Sequence, residues 1–492
     1  MTDLSLDLKN SIADLQTRHA ALITAVQTYR NGSVGASKAE ITAAIAALEA
    51  RLNAEESTLL GLAGRGVQPS LCLDFMKDMY LMGENRPTKG YNFADLVTFT
   101  RSSTGMYFNS AGMLTQAEAN VPRFEYDPVT KVAKGLLIEE SRTNLLLRSA
   151  DFQTGSWVNQ GAGSALTVTS LASNGPRGPN TMTKLARTDL GIKYMANNTF
   201  NSPSVLTTSV YAKAGAVGGF LSIRSQASYP ARIDAWFNLN TGACGFSVLG
   251  DVTGGSVTMT DVGGGVWRCS ATATAGATPF TNVMIAPHDA ASRQVDGIGT
   301  VLSEVYVDAV QAEAGAYASS YIPTGTAQVT RSTDAASIFT AAMSPWFNSM
   351  EGTLFCDYTW GQAAPVTGNR AVELAATSDL NSSALRIYEY SDGGRLVLSP
   401  GASGGGDKIV KFLPITSSNQ SHKAAIAYDD SGIAGSRDGA DAIVSAITSL
   451  PVFNKMFIGT RGGGGQTLGG WIRSIRYYPK RLTNAQIKTL TS

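Results

Sequence analysis

Seven aromatic residues could supply a flat platform for a ligand: Trp157, Tyr194, Tyr229, Trp236, Trp360, Tyr388 and Tyr390. An exposed aromatic is rigid and amphipathic, and its ring face matches the apolar side of a pyranose. Trp267 lies in a strand-like phrase and reads as core. Glu351, Asp357, Glu373, Glu389, Asp429 and Asp430 are the carboxylates that a glycoside hydrolase would draw on. Such an enzyme needs two of them across a cleft, about 5 to 9.5 Å apart. Glu139 and Glu140 are adjacent, so on a strand they point to opposite faces and cannot flank one bond. Asp429-Asp430 beside Ser431-Gly432 offers oxygen ligands for Ca²⁺, or simply a solvated turn.

Other chemistries find little support. The four cysteines, Cys72, Cys244, Cys269 and Cys356, lack metal-ligand spacing. They read as small apolar residues, with Cys244 and Cys269 as one conceivable pair. Three histidines, His19, His288 and His422, make a His-rich metal site a poor expectation. The glycine clusters at 263–265, 404–406 and 462–465 lack the following Gly-Lys-Ser or Gly-Lys-Thr of a phosphate loop. No Ser-His-Asp or Cys-His signature is readable. No cofactor and no metal site is implied.

The elements that must position these residues are mostly strands. Charged residues are only 16% of the chain and glycine accounts for 51 of 492 positions. Helix interiors reject glycine, whereas turns and bulges need it. The length allows roughly two to four domains. A net charge of +1 builds no field for nucleic acid or an anionic membrane. No apolar run reaches the roughly 18 residues of a bilayer span. The opening MTDLSLDLK is acidic and has no apolar signal core, so assembly in a cytoplasm is expected.

Residues 1–62 differ from the rest. Leu8, Ile12, Leu15, His19, Leu22, Val26 and Tyr29 recur at alternating four- and three-residue spacings, the seam of a coiled coil. Asn31-Gly32 stops this helix, and Ser37 to Glu40 forms a capping box for a second. The second seam is Ile41, Ile45, Leu48 and Leu52, continued by Glu55 and Leu59. The pair forms either an antiparallel hairpin within one chain or a seam between copies. Both imply partners, because two helices alone bury little core. Mixed Ile, Leu and Val seam positions do not enforce a dimer, and a homotrimer is the expected assembly. His19 is a polar seam residue.

Residues 63–146 read as an extended linking region. It contains the phrases TFTRSSTG (98–105), ANVPRFEYDP (119–128) and GLLIEESRTNLL (135–146). Arg101, Arg123, Glu125, Glu139, Glu140 and Arg142 can form charge-assisted pairs between such segments. The phrase EAGAYASSYIPT (313–324) follows much later, and TRSTD (330–334) echoes the earlier Thr100-Arg101-Ser102. Taken together, residues 71–337 resemble a segment that recurs in tailed-bacteriophage head-spike and tail-fibre proteins. There it precedes a carbohydrate-binding-like jelly roll. The resemblance implies a virion-surface component, with other virion proteins and host-surface polysaccharide as partners.

Residues 147–337 alternate with period two. Strands are expected at 205–214, 220–224, 233–238 and 266–273, with a hairpin turn at Asn240-Thr241-Gly242. Many short strands with glycine-rich turns indicate a jelly roll. Residues 338–492 repeat the pattern, with strands at 352–360, 385–390, 395–398, 423–428, 456–459 and 470–478. Asp392-Gly393 and Asp438-Gly439 are hairpin turns. Thr483 and Gln486 make a capping box for a last helix. This ending resembles a concanavalin-A-like or laminin-G-like β-sandwich. The Glu-x-Asp-x-x-Glu pattern that retaining glucanases of that fold often carry is absent.

The sequence therefore predicts a mainly β protein: a helical coiled-coil stem, then two β-sandwich domains, one jelly-roll and one lectin-like. Three functions follow from the resemblance: a multivalent adhesive fibre, a purely structural decoration of head or tail, and a glycan depolymerase. Exposed aromatics favour the first, buried aromatics the second, and two facing carboxylates the third.

Overall fold

The computed structural model describes residues 68–492, apart from 85–88, 162–164, 199, 203, 292–293, 362–367, 377–378, 391–392, 401–407, 413–419, 448 and 462–464. The stem, with its seam positions between residues 8 and 52, lies outside the described residues. So does the turn residue Asp392. Pro69–Ser492 forms one compact unit, and it is mainly β.

The first sandwich packs two six-stranded antiparallel sheets. One runs Val158–Gly161, Lys193–Asn197, Asn282–His288, Phe220–Gln226, Arg232–Asn238, Cys244–Leu249. The other runs Thr167–Gly175, Gly178–Ala186, Glu304–Ala314, Val205–Ala214, Val266–Thr274, Thr253–Asp261. Val205–Ala214 shows why the sheets close. Leu206, Val210 and Ala212 enter the core between the sheets. Thr208 on the same face hydrogen-bonds Ser225 of the facing sheet at 2.8 Å. The alternate residues Thr207, Ser209 and Tyr211 face the opposite way. Thr207 and Ser209 make that second face polar, and its continuation on Val266–Thr274 and Thr253–Asp261 builds the site described below.

The second sandwich draws on both ends of the described chain. Its larger sheet is ordered Lys89–Tyr91, Met79–Met82, Leu71–Asp74, Gly470–Tyr478, Gly352–Trp360, Gln420–Asp429, Gly432–Arg437, Ile443–Ala446. Ala133–Ile138 also pairs with Gly470–Tyr478. The opposing sheet has seven strands and ends with Ala335–Phe339 beside Thr98–Thr100. Of the region expected to be a separate linker at 63–146, the strands Leu71–Asp74, Met79–Met82, Lys89–Tyr91, Thr98–Thr100, Phe124–Tyr126 and Ala133–Ile138 are therefore part of this sandwich, and the first sandwich is inserted between its strands. The cause is burial. Leu71 and Leu73 are fully buried in the shared core, and their backbone groups find partners against Ile475 and Tyr477.

Local patterning fixes the strand positions well. Val205–Ala214, Gly352–Trp360 and Gly470–Tyr478 fall where the alternation predicts. Leu354, Cys356, Tyr358 and Trp360 share one fully buried face. Asp438 and Gly439 have φ of 52° and 73°, the left-handed pair of a type I′ turn. All four cysteines are free. Cys244 and Cys269 sit on different sheets and are not bonded.

The closing helix, Asn484–Thr491, has the expected capping box: the Gln486 amide donates to Thr483 Oγ1 at 3.3 Å, and the Thr483 amide donates to Gln486 Oε1 at 2.8 Å. Leu482 and Ile487 are both buried. Thr491 Oγ1 meets Ser436 Oγ at 2.8 Å and ties the helix to the sheet. Thr483→Ala is expected to cost about 1 kcal/mol, with hydrogen exchange of residues 484–491 accelerating before any global change. Unchanged exchange there would show that the cap contributes nothing. Among the described residues no helix is long and apolar enough to cross a membrane.

Candidate functional site

The five motif phrases converge on a buried ionic hub between the sandwiches. Asp334, fully buried, accepts from Arg101 Nη1 at 3.1 Å, Arg123 Nη2 at 2.5 Å and the Glu139 amide at 2.9 Å. Glu139 accepts from Arg123 Nη1 at 2.8 Å and from Ser320 through its amide at 2.8 Å and its hydroxyl at 2.7 Å. Arg331 joins at 3.2 Å. The echoed phrases meet physically: Ser102 Oγ lies 2.8 Å from Ser332 Oγ, and the Ser332 amide donates to Ser103 Oγ at 2.8 Å. Glu140 turns away from Glu139 to Arg142 at 2.6 Å and to the Tyr317 hydroxyl. The pairing expected for Arg101, Arg123, Glu139, Glu140 and Arg142 is thus present, and the two glutamates do not share a task.

The hub has an electrostatic consequence. Burial alone pushes the Glu139 carboxyl up, but Arg331 and Arg123, with the Ser320 hydrogen bonds, overcome this and hold it down to about 2, against an ordinary 4.5. A depressed carboxylate stabilises the fold fully above its unfolded value and loses that contribution as pH falls through its folded value. Stability should therefore drop between pH 4.5 and about 2, with roughly 3 kcal/mol of the loss assigned to this group. Denaturation curves of wild type and Glu139→Gln measured across that window test it. Parallel pH profiles would refute the assignment.

Beside the hub lies a cleft of about 370 Å³ between the two sandwiches. Its first wall is the polar face of the inserted sandwich. Ser256, Thr258 and Thr260 point outward along the edge strand, while Val257 and Met259 pack toward the core. Register places Ser256 opposite Thr272, Thr258 opposite Ser270 and Thr260 opposite Arg268. Thr258 and Ser270 hydroxyls are 2.6 Å apart. The Arg268 guanidinium lies 5.4 Å from the Tyr211 ring centroid and donates through Nη2 to the Ser319 carbonyl, leaving its buried Nε–H without an acceptor.

The second wall comes from the C-terminal sandwich and the strand Ala133–Ile138. Trp471 stands half-buried on Gly470–Tyr478, and its indole N–H donates to Glu125 Oε2 at 2.6 Å. The Lys134 ammonium sits 3.3 Å above the centre of that ring. Gly135 permits the close strand approach beneath: φ is 110°, and a Cβ there would stand 2.2 Å from the Ile472 carbonyl oxygen. Burial pushes the Lys134 ammonium down, with Glu125, Asp127 and Glu139 pulling the other way. The carboxylates of the cleft are all engaged. Glu125 also accepts from the Phe108 amide at 3.3 Å. Asp127 accepts from the Thr130 amide at 2.7 Å, and Asp261 from the Gly263 amide at 2.8 Å.

The aromatic residues singled out from sequence are not in this cleft. Trp157 is 5% exposed and packs in the first core against Phe152, with its N–H on the Arg148 carbonyl. Trp360 is fully buried in the second core. Both are corrected to core residues: Trp157 precedes the strand Val158–Gly161 and turns into the first core, and Trp360 lies on the buried face of Gly352–Trp360. Tyr388 is 9% exposed under the Arg370 guanidinium, and Tyr390 is 36% exposed beside Arg395. Tyr229 is 70% exposed, with Arg232 stacked 5.1 Å from its ring centre. Trp236, half-buried near Phe220, and Tyr194, hydrogen-bonded to Gln160 at 3.0 Å, lie on the sheet facing away from the cleft. Trp267 packs against the first core, as its phrase suggests.

Five of the six carboxylates named for hydrolysis lie beside separate partners. Glu351 pairs with Lys480 at 2.6 Å, Glu373 with Arg386 at 2.9 Å and Glu389 with Arg437 at 3.0 Å. Asp357 lies 3.6 Å from Arg473. Asp429 accepts from the Ser431 amide at 2.9 Å and so closes a turn. Sequence reasoning alone does not single out Lys134, Arg268 or Trp471. The one readable signal was the hydroxyl alternation in TGGSVTMTD at 253–261.

No family model matches this chain, and no curated protein matches it. Among solved structures it is similar to the CBM40 module of Ruminococcus gnavus IT-sialidase, at 13% identity and a TM-score of 0.25, over 30% of this chain and 84% of that one. Domain 4 of a GH43 extracellular arabinanase from Geobacillus stearothermophilus, in complex with arabinotriose, is similar at 12% identity and a TM-score of 0.25, over 36% and 84%. Trypanosoma rangeli sialidase is similar at 11% identity and a TM-score of 0.25, over 67% and 62%.

Proposed function

We propose that this chain is an adhesive fibre or spike of a tailed-bacteriophage virion that binds host-surface glycan without cleaving it. The virion setting rests on the motif phrases of residues 71–337. The glycan reading rests on one observation: the inter-sandwich cleft joins a ladder of outward hydroxyls, Ser256, Thr258 and Thr260, to a half-buried tryptophan and a lysine. Hydroxyls can donate and accept, as sugar hydroxyls can. A tryptophan beside them supplies apolar contact with a polar tip. The non-catalytic reading rests on the cleft carboxylates, which are held as acceptors of backbone or side-chain donors.

In this reading the inserted domain is a jelly roll and the outer one a concanavalin-A/laminin-G-like sandwich. A trimeric stem would present three clefts together, and multivalency raises effective affinity without new contacts. The test is binding of the full chain to host-surface polysaccharide while reducing ends are followed over time. Saturable binding with a constant reducing-end count is the expected result. Rising reducing ends would make it a depolymerase, and no binding would leave a structural fibre.

A further inference from the structure

Five large aliphatic side chains are exposed together at one end of the inserted sandwich: Leu190 at 45%, Val217 at 43%, Ile298 at 64%, Val301 at 39% and Leu302 at 51%. They sit on the loops that follow Gly178–Ala186 and Val205–Ala214 and on the segment that leads into Glu304–Ala314. Register brings these strand ends side by side, with Ala186 opposite Glu304 and Ala214 opposite Val305. Backbone hydrogen bonds tie the loops to each other: the Gly299 amide donates to the Leu190 carbonyl at 3.0 Å, and the Glu304 amide to the Val217 carbonyl at 3.0 Å. The segment is also anchored from below. Val295 is fully buried against Ala196, Met284 and Ala286, and Asp296 pairs with Arg224 at 2.7 Å. Ile298 and Leu302 are therefore held outward and are not core residues out of place. Single exposed aliphatics are ordinary, whereas a contiguous group marks a binding surface. No aromatic ring lies among the five, so the group is no sugar platform.

The second sandwich does not cover this end. Glu304–Ala314 is an 11-residue strand, roughly 30 Å long, that starts at the aliphatic loops and reaches the hub phrase only at Glu313. The occupant is indicated by the rest of the chain. The sequence of residues 1–62 carries two heptad seams that call for partner helices. Copies joined there meet at effective concentrations on the order of millimolar. The five side chains offer roughly a few hundred Å², below the ~800 Å² per partner of a free-standing interface. Such a patch cannot hold a free partner, yet it suffices between tethered copies. A net charge of +1 raises no long-range repulsion between them. We propose that this end of the inserted sandwich is a self-association surface, whose aliphatic loops dock against the same loops of neighbouring copies in the stem-joined assembly. This rests on the homotrimeric stem of the function proposed above and adds which surface the copies share. Docking fixes the spacing of the three clefts, on which multivalent binding depends.

The test compares the full chain with Ile298→Asp/Leu302→Asp and with the milder Ile298→Ser/Leu302→Ser. Both positions are exposed, and circular dichroism with the denaturation midpoint establishes that each variant is folded. Sedimentation gives the mass and small-angle scattering the radius of gyration. Wild type should be a compact trimer. The aspartate variant should keep the trimer mass with a larger radius, and the serine variant should fall between. Amide exchange at 215–219, away from the substituted residues, should rise by about tenfold in the aspartate variant as docking is lost. An unchanged radius and exchange at trimer mass would overturn the docking and leave the stem standing. A single-chain mass for wild type would remove the stem reading and this inference with it. Co-sedimentation of wild type, but not of the aspartate variant, with phosphatidylcholine vesicles would overturn self-association in favour of a lipid surface.

Discussion

Asp334→Ala is expected to destabilise the chain by about 3–5 kcal/mol, the usual cost of removing one partner from a buried ion pair. The residue is fully buried and answers two arginines at once, Arg101 and Arg123. Its removal leaves the buried Arg101 with backbone carbonyls alone and takes one of two carboxylates from Arg123. It also frees the Glu139 amide, which donates to the same carboxylate at 2.9 Å. Asp334→Asn keeps the shape and isolates the charge, so its loss should be smaller but of the same sign. Differential scanning calorimetry is the informative readout, because the hub joins segments of both sandwiches. A lowered and split transition is expected. A single transition at the wild-type temperature would mean that the hub does not hold the sandwiches together.

Such a hub need not exceed an apolar contact in net stability, since desolvation of buried charges offsets much of their attraction. Its value is specificity. A carboxylate that must meet two guanidinium groups and an amide admits few alternative registers between phrases as distant as TRSSTG and TRSTD.

The second large effect is expected at the cleft. Trp471→Ala should weaken glycan binding by roughly 2 kcal/mol, about 30-fold in Kd, as for other tryptophan hot spots. The substitution removes the ring that carries the Lys134 ammonium and releases Glu125 from its 2.6 Å hydrogen bond. Trp471→Phe retains a ring and loses only the N–H, so it should fall between the two. Titration of host polysaccharide into each variant gives the order. If alanine binds as well as wild type, the cleft is not the binding site, and the exposed Tyr229, in the turn between Phe220–Gln226 and Arg232–Asn238, becomes the next residue to replace.

Strand positions, turns and the closing helix cap were legible in the amino-acid order because their causes are local. Val205–Ala214 alternates within itself, Asp438-Gly439 satisfies its own turn, and Thr483 meets Gln486 three residues away. The charged residues of the motif phrases could likewise be recognised as pairing groups. Which partner each would take was not legible. Arg101 and Asp334 meet only after the inserted sandwich has folded back on itself, and that closure leaves no trace in spacing.

The same limit governs the aromatic residues. Alternation says that a strand has two faces, but it does not say what covers each. Trp157 and Trp360 looked available and are enclosed by sheets from distant parts of the chain, whereas Trp471 looked like one more strand residue and lines the cleft. Likewise Leu71–Asp74 reads as a short extended piece, and only its pairing with Gly470–Tyr478 makes it part of the last domain. Period and turn chemistry are set by neighbours in sequence. Burial, pairing and the cleft are set by which surfaces of the folded sheets come together, and so tertiary structure alone decided them.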